Sequence, residues 1–152
     1  MRRQLLSVAI AATVLGAVGT TWAEDVKPKG FVAIREATMD AMAAHVGAIK
    51  VILTEKPELL SQVAAQANAI AAMGPLIPAM FPAGSLEPPS EALQTVWDKP
   101  DDFKKDANEL ADLATAVAKA AESGDAKATL AAFGQMGKEG CGGCHETFRK
   151  KG

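Results

Sequence analysis

The chain has 152 residues, a formal net charge of −2 and 49% hydrophobic residues, and only 5% of its residues are aromatic. This balance excludes a basic surface of the kind that binds nucleic acids. The length is enough for one domain with a buried core, and the abundant alanine, leucine, lysine and glutamate favour helix.

The N-terminus has the pattern of a secretory signal peptide. Arg2 and Arg3 give a positive start, an uncharged and largely apolar run covers residues 5–18, and small residues follow where a signal peptidase cleaves. We predict a signal peptide over residues 1–23, whose loss changes the net charge from −2 to −4, and a single domain over residues 24–152 in the periplasm. The alternative, an uncleaved membrane anchor, is disfavoured because the apolar run is short for a bilayer.

The first predicted helix covers about residues 31–53. Its inward face has the four-and-three spacing of a buried helical stripe. That stripe is Arg35, Met39, Met42, Val46, Ile49 and Leu53. A buried charge is costly unless it is paired, so we expect Arg35 to have a specific partner.

The second predicted helix begins at Pro57, which suits a first helical turn. Gly74 and Pro75 are expected to end or bend it. Residues 74–100 contain six prolines and are predicted to form a long connection across one end of the fold. Trp97 is the expected anchor of this connection.

The third predicted helix follows Pro100, with Asp101 as its N-cap, and ends at Ser123 and Gly124. Asp125 is the predicted N-cap of the fourth helix. The predicted inward face of that helix is Leu130, Phe133, Gly137, Cys141, Cys144 and Phe148. The fold class is therefore all-α, an antiparallel four-helix bundle with one long connection.

Residues 141–145 read Cys-Gly-Gly-Cys-His, which is the attachment signature of a c-type haem. Cys141 and Cys144 would add to the two vinyl groups of the porphyrin as thioethers, and His145 would supply an axial imidazole to the iron. A helical turn puts both sulfur atoms on one side with the imidazole beside them. The motif predicts one covalently bound haem c, and it suits an exported chain because both cysteines are used by the haem.

Three other interpretations of the two cysteines are weaker. A thioredoxin-like redox motif belongs to a βαβ context, and the sequence has no strand pattern. A structural zinc site needs a fourth ligand, and His45 is the one other histidine. A disulfide between Cys141 and Cys144 would close only a very small loop.

These residues together resemble the class II cytochromes c, the cytochrome c′ family, over essentially all of the mature chain. The haem motif is C-terminal, Arg149 follows His145 by four positions, and Met39 follows Arg35 by four positions, as in that family. The resemblance implies a four-helix bundle around the haem, with His145 as proximal ligand and Met39 covering the distal face. It also implies that Arg149 belongs to the cofactor site and that Arg35 lies near a haem propionate, a suitable bidentate partner. The alternative partner for Arg35 is an acidic residue of another helix.

Met39 separates the two branches of the family that the resemblance implies. Methionine ligation gives a low-spin iron suited to electron transfer, whereas a five-coordinate iron with a non-ligating distal residue binds NO and CO. Because its stripe points inward, we predict Met39 and His145 as the two iron ligands, with core packing of Met39 as the alternative. Met42 could compete for the iron, whereas His45 lies off this face and is expected to be partly exposed.

The sequence therefore predicts a periplasmic one-electron carrier with haem and redox proteins as partners, and a five-coordinate protein that binds small gases as the alternative. A four-helix interaction module without redox chemistry would leave the motif at residues 141–145 unexplained. An enzyme is not predicted, because no second cluster of titratable residues suggests acid–base catalysis. Neither nucleic acid nor a stable membrane anchor after signal cleavage is expected, and the outward alanines of the first helix leave a homodimer open.

Overall fold

The computed structural model describes residues 29–151, so the predicted signal peptide over residues 1–23 lies outside the described part. The described residues form helices joined by turns. Their bounds in chain order are α1 Gly30–Glu55, a 3₁₀ turn Pro57–Gln62, α2 Val63–Met73, a 3₁₀ turn Gly74–Met80, α3 Thr95–Asp98, α4 Pro100–Glu122, α5 Ala126–Gln135, a π-helical segment Met136–Gly142, and α6 Gly143–Phe148. The four-helix prediction is confirmed, with the fourth helix divided into α5, the π-helical segment and α6.

Helix α1 is the longest element and buries the predicted stripe. Arg35, Met42 and Ile49 are buried on it, and Met39 is half-buried. At the C-terminal end Ile52 is buried rather than the predicted Leu53, because 3.6 residues per turn drift away from a strict four-and-three repeat. The helix ends where the N–H of Lys56 turns back to the carbonyl oxygens of residues 51 and 52.

The next helical stretch, which we call the rod, covers Pro57–Met80. Its α-helical part ends at Met73, as predicted from Gly74 and Pro75, but the chain stays helical to Met80 instead of entering the predicted connection at residue 74. The helix tightens there into a 3₁₀ turn, because proline is tolerated in a first turn and needs no N–H partner. Gly74 has a packing role: a Cβ added to it would lie 2.8 Å from the carbonyl oxygen of Ala107 and 3.1 Å from the Cβ of Ala111. The absent side chain therefore lets the rod touch α4.

Helix α4 begins one residue earlier than predicted. Pro100 occupies the first turn and Lys99 is the N-cap, with no side-chain cap bond, so the prediction of Asp101 as N-cap is wrong. Proline pre-sets the backbone angle of a first turn, and Asp101 lies inside that turn, where a carboxylate suits the positive end of the helix dipole. Small buried residues such as Ala107 and Ala114 let neighbouring helices approach α4 closely.

The turn into α5 is as predicted. Gly124 has a φ of +75°, which glycine adopts without strain, and the carboxylate of Asp125 accepts a hydrogen bond of 2.9 Å from the N–H of Ala128. The predicted inward face is wrong for Leu130, which is 53% exposed, whereas Thr129 is fully buried.

The register of the fourth helix changes along its length. Its inward residues are Thr129, Phe133, Met136, Gly140, Cys144 and Phe148, of which Phe133 and Cys144 are half-buried. The last three steps are all four residues long, which a continuous α-helix does not sustain on one face. The π-helical segment supplies the additional residue, so a single uniform stripe was the wrong pattern for this helix.

Helix α1 also carries a second apolar stripe on its outer side. Its members are Ile34, Ala37, Ala41, Ala44, Ala48 and Val51, all exposed except the half-buried Ala48. This stripe helps to make α1 apolar enough, by length and composition alone, to cross a membrane, and the Pro57–Met80 rod is similarly apolar, with mean hydropathy values of 1.2 and 1.3. Core helices of soluble proteins meet the same criterion, and both elements pack against each other here.

Candidate haem site

The Cys-x-x-Cys-His motif spans the junction between the π-helical segment and α6. Cys141 lies in the former, and Cys144 and His145 lie in the first turn of the latter. Both cysteines are unpaired and half-buried, and both pack against the core. The expected arrangement of two sulfur atoms on the inner side with the imidazole beside them is compatible with this placement.

The π-helical segment determines which residues of the motif face inward. If the chain continued past Met136 as an α-helix with 3.6 residues per turn, Gly143 and Thr147 would face inward. The structure instead buries Phe148 and exposes Thr147, and it half-buries Cys144 as well as Gly143. The additional residue therefore turns Cys144 and Phe148 toward the core.

A close contact with α4 fixes this segment. A Cβ on Gly140 would lie 3.0 Å from Cδ1 of Leu110 and 3.4 Å from Cδ1 of Leu113. The absence of a side chain at Gly140 therefore allows the residue before Cys141 to sit directly on α4. This glycine links the core packing to the position of the motif.

The environment of the two thiols disfavours thiolate chemistry. Burial raises the pKa of Cys141, and burial together with the negative charges of Asp106 and Cys141 raises the pKa of Cys144 to about 11. Both groups are therefore neutral at physiological pH, whereas thiol–disulfide exchange uses the thiolate. Within residues 29–151 no group of three or more His, Cys, Asp or Glu side chains could hold a metal ion, which gives the zinc interpretation no support.

His145 is more than a third exposed. Partial burial is the main cause that lowers the pKa of its imidazole, the positive charge of Arg149 lowers it further, and the carboxylate of Glu91 opposes both. A neutral imidazole is the form that binds iron. The surroundings of His145 therefore suit the role of an axial ligand.

Arg149 is held by an acidic residue of the connection, which we define as residues 81–94. Its Nε and Nη2 donate hydrogen bonds of 2.8 and 2.5 Å to one carboxylate oxygen of Glu91. Both side chains are more than half exposed. The structure thus places this predicted cofactor residue against the connection, beside the end of α6.

Arg35 is 5% exposed, and its partners lie at the end of the rod and at the start of the connection. Its Nε donates to the carbonyl oxygen of Met80 at 2.7 Å, its Nη1 donates to the carbonyl oxygen of Ser85 at 3.0 Å, and its Nη2 donates to the Ser85 hydroxyl. Its guanidinium carbon lies 4.1 Å from the ring centroid of Phe81, a cation–π distance. The alternative partner, an acidic residue of another helix, is wrong, because backbone carbonyls and a hydroxyl take that place.

Desolvation lowers the pKa of Arg35, and the negative charge of Glu87 opposes this. Three hydrogen bonds leave part of the donor capacity of the guanidinium unused. A propionate would supply both the missing acceptors and a counter-charge, so the residue fits the role that the resemblance implies.

Aromatic side chains surround this arginine. Phe81 contacts Trp97 and Phe103 at centroid distances of 5.9 and 4.9 Å, and Phe103 contacts Phe148 at 5.0 Å. The indole N–H of Trp97 donates to the carbonyl oxygen of Pro82 at 2.9 Å, which confirms Trp97 as the anchor of the connection. The cluster extends from the connection to the last residue of α6, so it joins the two ends of the candidate site.

Met39 is half-buried one turn beyond Arg35 and packs against the core. Met42 is buried within the core itself, which makes it a poorer competitor for the iron than its spacing suggested. His45 is only partly exposed, and its Nδ1 lies 2.6 Å from Oε1 of Gln66, so this histidine connects α1 to the rod. Of these three side chains, Met39 is therefore the one best placed to cover a cofactor.

The two sides of the candidate site come from elements that do not pack closely on each other. Within the described part of the chain, α1 has extensive backbone contact with the Pro57–Met80 rod but not with α5, the π-helical segment or α6. Cys141, Cys144 and His145 belong to the fourth helix, while Arg35 and Met39 belong to α1. The residues present thus fit a planar haem held between the first and fourth helices.

Sequence reasoning missed the pairing of residues 90–95 with residues 147–150. The N–H of Leu93 donates to the carbonyl oxygen of Phe148 at 2.9 Å, and the N–H of Lys150 donates to that of Glu91 at 2.8 Å. A pairing this short has no periodic signal. The sequence contains one indication of it: Glu91 lies close to Pro88 and Pro89, and the cations of residues 149–151 follow the motif.

The comparisons with known proteins agree on one family. The model of the family described as cytochrome c′ matches residues 31–149. A cytochrome c′ of Pararhodospirillum photometricum is 39% identical over 124 residues, which are 81% of this chain and 98% of that protein.

Two solved structures share the fold. The cytochrome c′ of Thermochromatium tepidum aligns with a TM-score of 0.72 and 30% identity over 84% of this chain and 100% of its own. A nitric oxide complex of a point mutant of cytochrome c′ from Alcaligenes xylosoxidans aligns with a TM-score of 0.69 and 27% identity, with the same shares of 84% and 100%.

Proposed function

Since the chain belongs to the cytochrome c′ family, whose members carry covalently attached haem c, we propose that it binds a small gas such as NO or CO at a five-coordinate iron. The observation that carries the proposal is the family match over residues 31–149, because cytochromes c′ usually leave the sixth position of the iron open. The nitric oxide complex of a related protein supports the same ligand class. This order reverses the sequence-based one, which put the methionine-ligated electron carrier first.

In this proposal Cys141 and Cys144 hold the haem. Each thiol adds across one vinyl group, so that its sulfur forms the C–S bond and its proton goes to the other vinyl carbon. The raised pKa values keep both thiols protonated before the reaction, and the sum of the two additions needs neither oxidant nor reductant. When bound, the haem would supply the iron to which the gas binds.

His145 provides the proximal ligand, and its neutral imidazole needs to lose no proton to do so. On the other side, Met39 and Arg35 belong to α1, one turn apart. Met39 excludes water from the distal side as a flexible apolar group, and Arg35 anchors a propionate. We propose ligand binding rather than catalytic turnover.

The second candidate is the one-electron carrier, and the observation that favours it is the thioether of Met39 in a half-buried position on the inner face of α1. A methionine bond to the iron would raise the reduction potential and close the gas site. Redox proteins of the periplasm would then be its partners.

Visible absorption spectra of the oxidised and reduced holoprotein, with and without CO, separate the two functions. We expect a high-spin spectrum that changes on adding CO, and the same behaviour in Met39→Leu, a volume-conserving change. Met42→Leu is the matched control, because that residue lies in the core. A low-spin wild-type spectrum that does not change on adding CO, together with a Met39→Leu variant that binds CO, would support the electron carrier instead. Absence of covalent haem would contradict both.

We further propose that the protein is exported to the periplasm after cleavage at residue 23 and pairs there as a homodimer. The outer apolar stripe of α1, centred on Ala41 and Ala44, supports the second part because its small side chains allow close helix approach. Sedimentation of the holoprotein should give a dimer, and Ala41→Glu should give a monomer with an unchanged haem spectrum. A wild-type monomer at all concentrations would refute the dimer without affecting the haem site.

A further inference from the structure

The chain that directly follows the haem motif is fixed by the connection. Residues 90–95 and 147–150, which we call the clamp, pair in antiparallel fashion around a bridge between Ala92 and Arg149. The Thr95 hydroxyl donates to the carbonyl oxygen of Thr147 at 2.9 Å, and Nζ of Lys150 donates to that of Ser90 at 3.0 Å. Two backbone hydrogen bonds also join the segments. The clamp therefore holds the chain at the point where α6 ends.

The clamp also determines where the charge of Arg149 lies. This residue is the C-cap of α6 with an extended backbone, and its N–H donates to the carbonyl oxygen of His145 at 3.2 Å. Its guanidinium could extend toward His145 or toward the connection. Two hydrogen bonds to one oxygen of Glu91 draw it to the connection.

The two charged groups act on His145 with opposite sign. Arg149 follows His145 by about one helical turn and its N–H bonds to the carbonyl oxygen of His145, and the carboxylate of Glu91 is hydrogen-bonded to the guanidinium of Arg149. Charges this close to His145 also influence the relative energies of the oxidation states of an iron bound to it. Residues that surround a metal's ligands without binding the metal can change its reduction potential in this way.

We propose that Glu91 is a positioning residue for the proximal side of the haem: it holds Arg149 in the clamp and offsets its positive charge beside the ligand His145. This inference rests on haem attachment at the motif and on ligation by His145, and it is independent of whether Met39 ligates the iron. A positive charge near the iron favours the ferrous state, so loss of the offset raises the reduction potential.

The test is the midpoint potential of the purified holoprotein and its Glu91→Gln variant, measured at low and high ionic strength. We expect an upward shift for Glu91→Gln that becomes smaller at high salt, because the pair is exposed and screened. Arg149→Gln should shift the potential downward, and the double variant should lie closer to the wild type than either single variant. Equal potentials for wild type and Glu91→Gln at low salt would overturn the proposal.

The Lys56–Glu58 pair provides a matched control. It is similarly exposed, with a separation of 4.0 Å, and it lies at the turn between α1 and the rod. Glu58→Gln should leave the potential unchanged. A shift of the same size as that of Glu91→Gln would mean that the effect reports net charge alone and would overturn the assignment to Glu91.

Two further measurements separate positioning from folding. Haem content measured alongside each potential distinguishes failure of this proposal from failure of haem attachment. Glu91→Asp keeps the charge but shortens the reach, so it should loosen the clamp and expose the amides of Leu93 and Lys150 to faster hydrogen exchange, with a smaller potential shift than Glu91→Gln. A Glu91→Asp shift as large as that of Glu91→Gln would overturn the charge-offset part of the proposal.

Discussion

The guanidinium of Arg35 on α1 donates hydrogen bonds to both the carbonyl and the hydroxyl oxygen of Ser85, fifty residues further along the chain. The same hydroxyl donates to the carbonyl oxygen of Pro82 at 2.7 Å. The start of the connection is therefore shaped around one buried cation. This relationship ties Arg35 of α1 to the segment that continues into the clamp.

Replacing Arg35 tests this link. Arg35→Met keeps the aliphatic volume but leaves the carbonyl oxygens of Met80 and Ser85 without their donors, and each unsatisfied buried group costs about 1–3 kcal/mol. We expect the free energy of unfolding of the holoprotein to fall by about 3 kcal/mol in urea denaturation. Arg149→Met, which breaks an exposed pair, should cost about 1 kcal/mol or less. Equal losses for the two variants would contradict a structural role for Arg35.

Replacing Gly74 and Gly47 by alanine should change the free energy of unfolding in opposite directions. A Cβ on Gly74 would lie 2.8 Å from a backbone oxygen of α4, whereas a Cβ on Gly47 meets nothing within 4 Å. Gly74→Ala should destabilise the protein by about 1–3 kcal/mol through overpacking. Gly47→Ala should stabilise it by about 0.5–1 kcal/mol, because alanine is the better helix former. Thermal unfolding of both variants provides the measurement.

The cysteines of the motif should determine whether the haem is covalent. In a Cys141→Ser, Cys144→Ser variant no thioether can form, so we expect complete loss of haem from the denatured chain. Haem staining after denaturing electrophoresis and the mass of the intact chain measure this directly. Each single variant should keep one thioether and therefore retain staining. Haem that resists denaturation in the double variant would refute attachment at these residues.

The raised pKa of Cys144 predicts an alkaline loss of stability in the haem-free protein. The folded thiol keeps its proton to about pH 11, against an ordinary value of 9.0, so the unfolded chain loses this proton first as pH rises. Stability from this group is therefore complete below about pH 9 and falls between pH 9 and 11. At pH 8 its alkylation by iodoacetamide should be about a hundredfold slower than that of an ordinary thiol, since the thiolate reacts. A rate equal to that of a free cysteine would contradict the burial of this thiol.

Local signals in the sequence predicted most of the helices. The stripe of α1, the start of the rod at Pro57, and the Gly124–Asp125 turn depend on backbone angles and spacings that act over a few residues. The haem motif is equally local, which is why its chemistry could be predicted before any fold was known. The family match over residues 31–149 confirms the cofactor, while the individual ligands remain predictions.

Longer-range features were not predictable in this way. The register change before Cys141 arises from a π-helical segment in a glycine-rich stretch, where glycines leave no side-chain pattern to count. The partners of Arg35 depend on how the connection folds back onto α1, and residues 80 and 85 offer backbone groups that every residue has. The Glu91–Arg149 pair depends on two segments more than fifty residues apart.

The two glycine contacts on α4 have a consequence for how this protein can change over evolutionary time. A Cβ on Gly74 would be crowded by Ala107 and Ala111, and a Cβ on Gly140 would be crowded by Leu110 in the same part of α4. Any increase in volume there would push apart the rod and the segment that presents the thiols. Helix α4 contributes none of the proposed haem ligands. Even so, substitutions that enlarge its side chains in these turns should be accepted less often in evolution than substitutions on exposed helix faces.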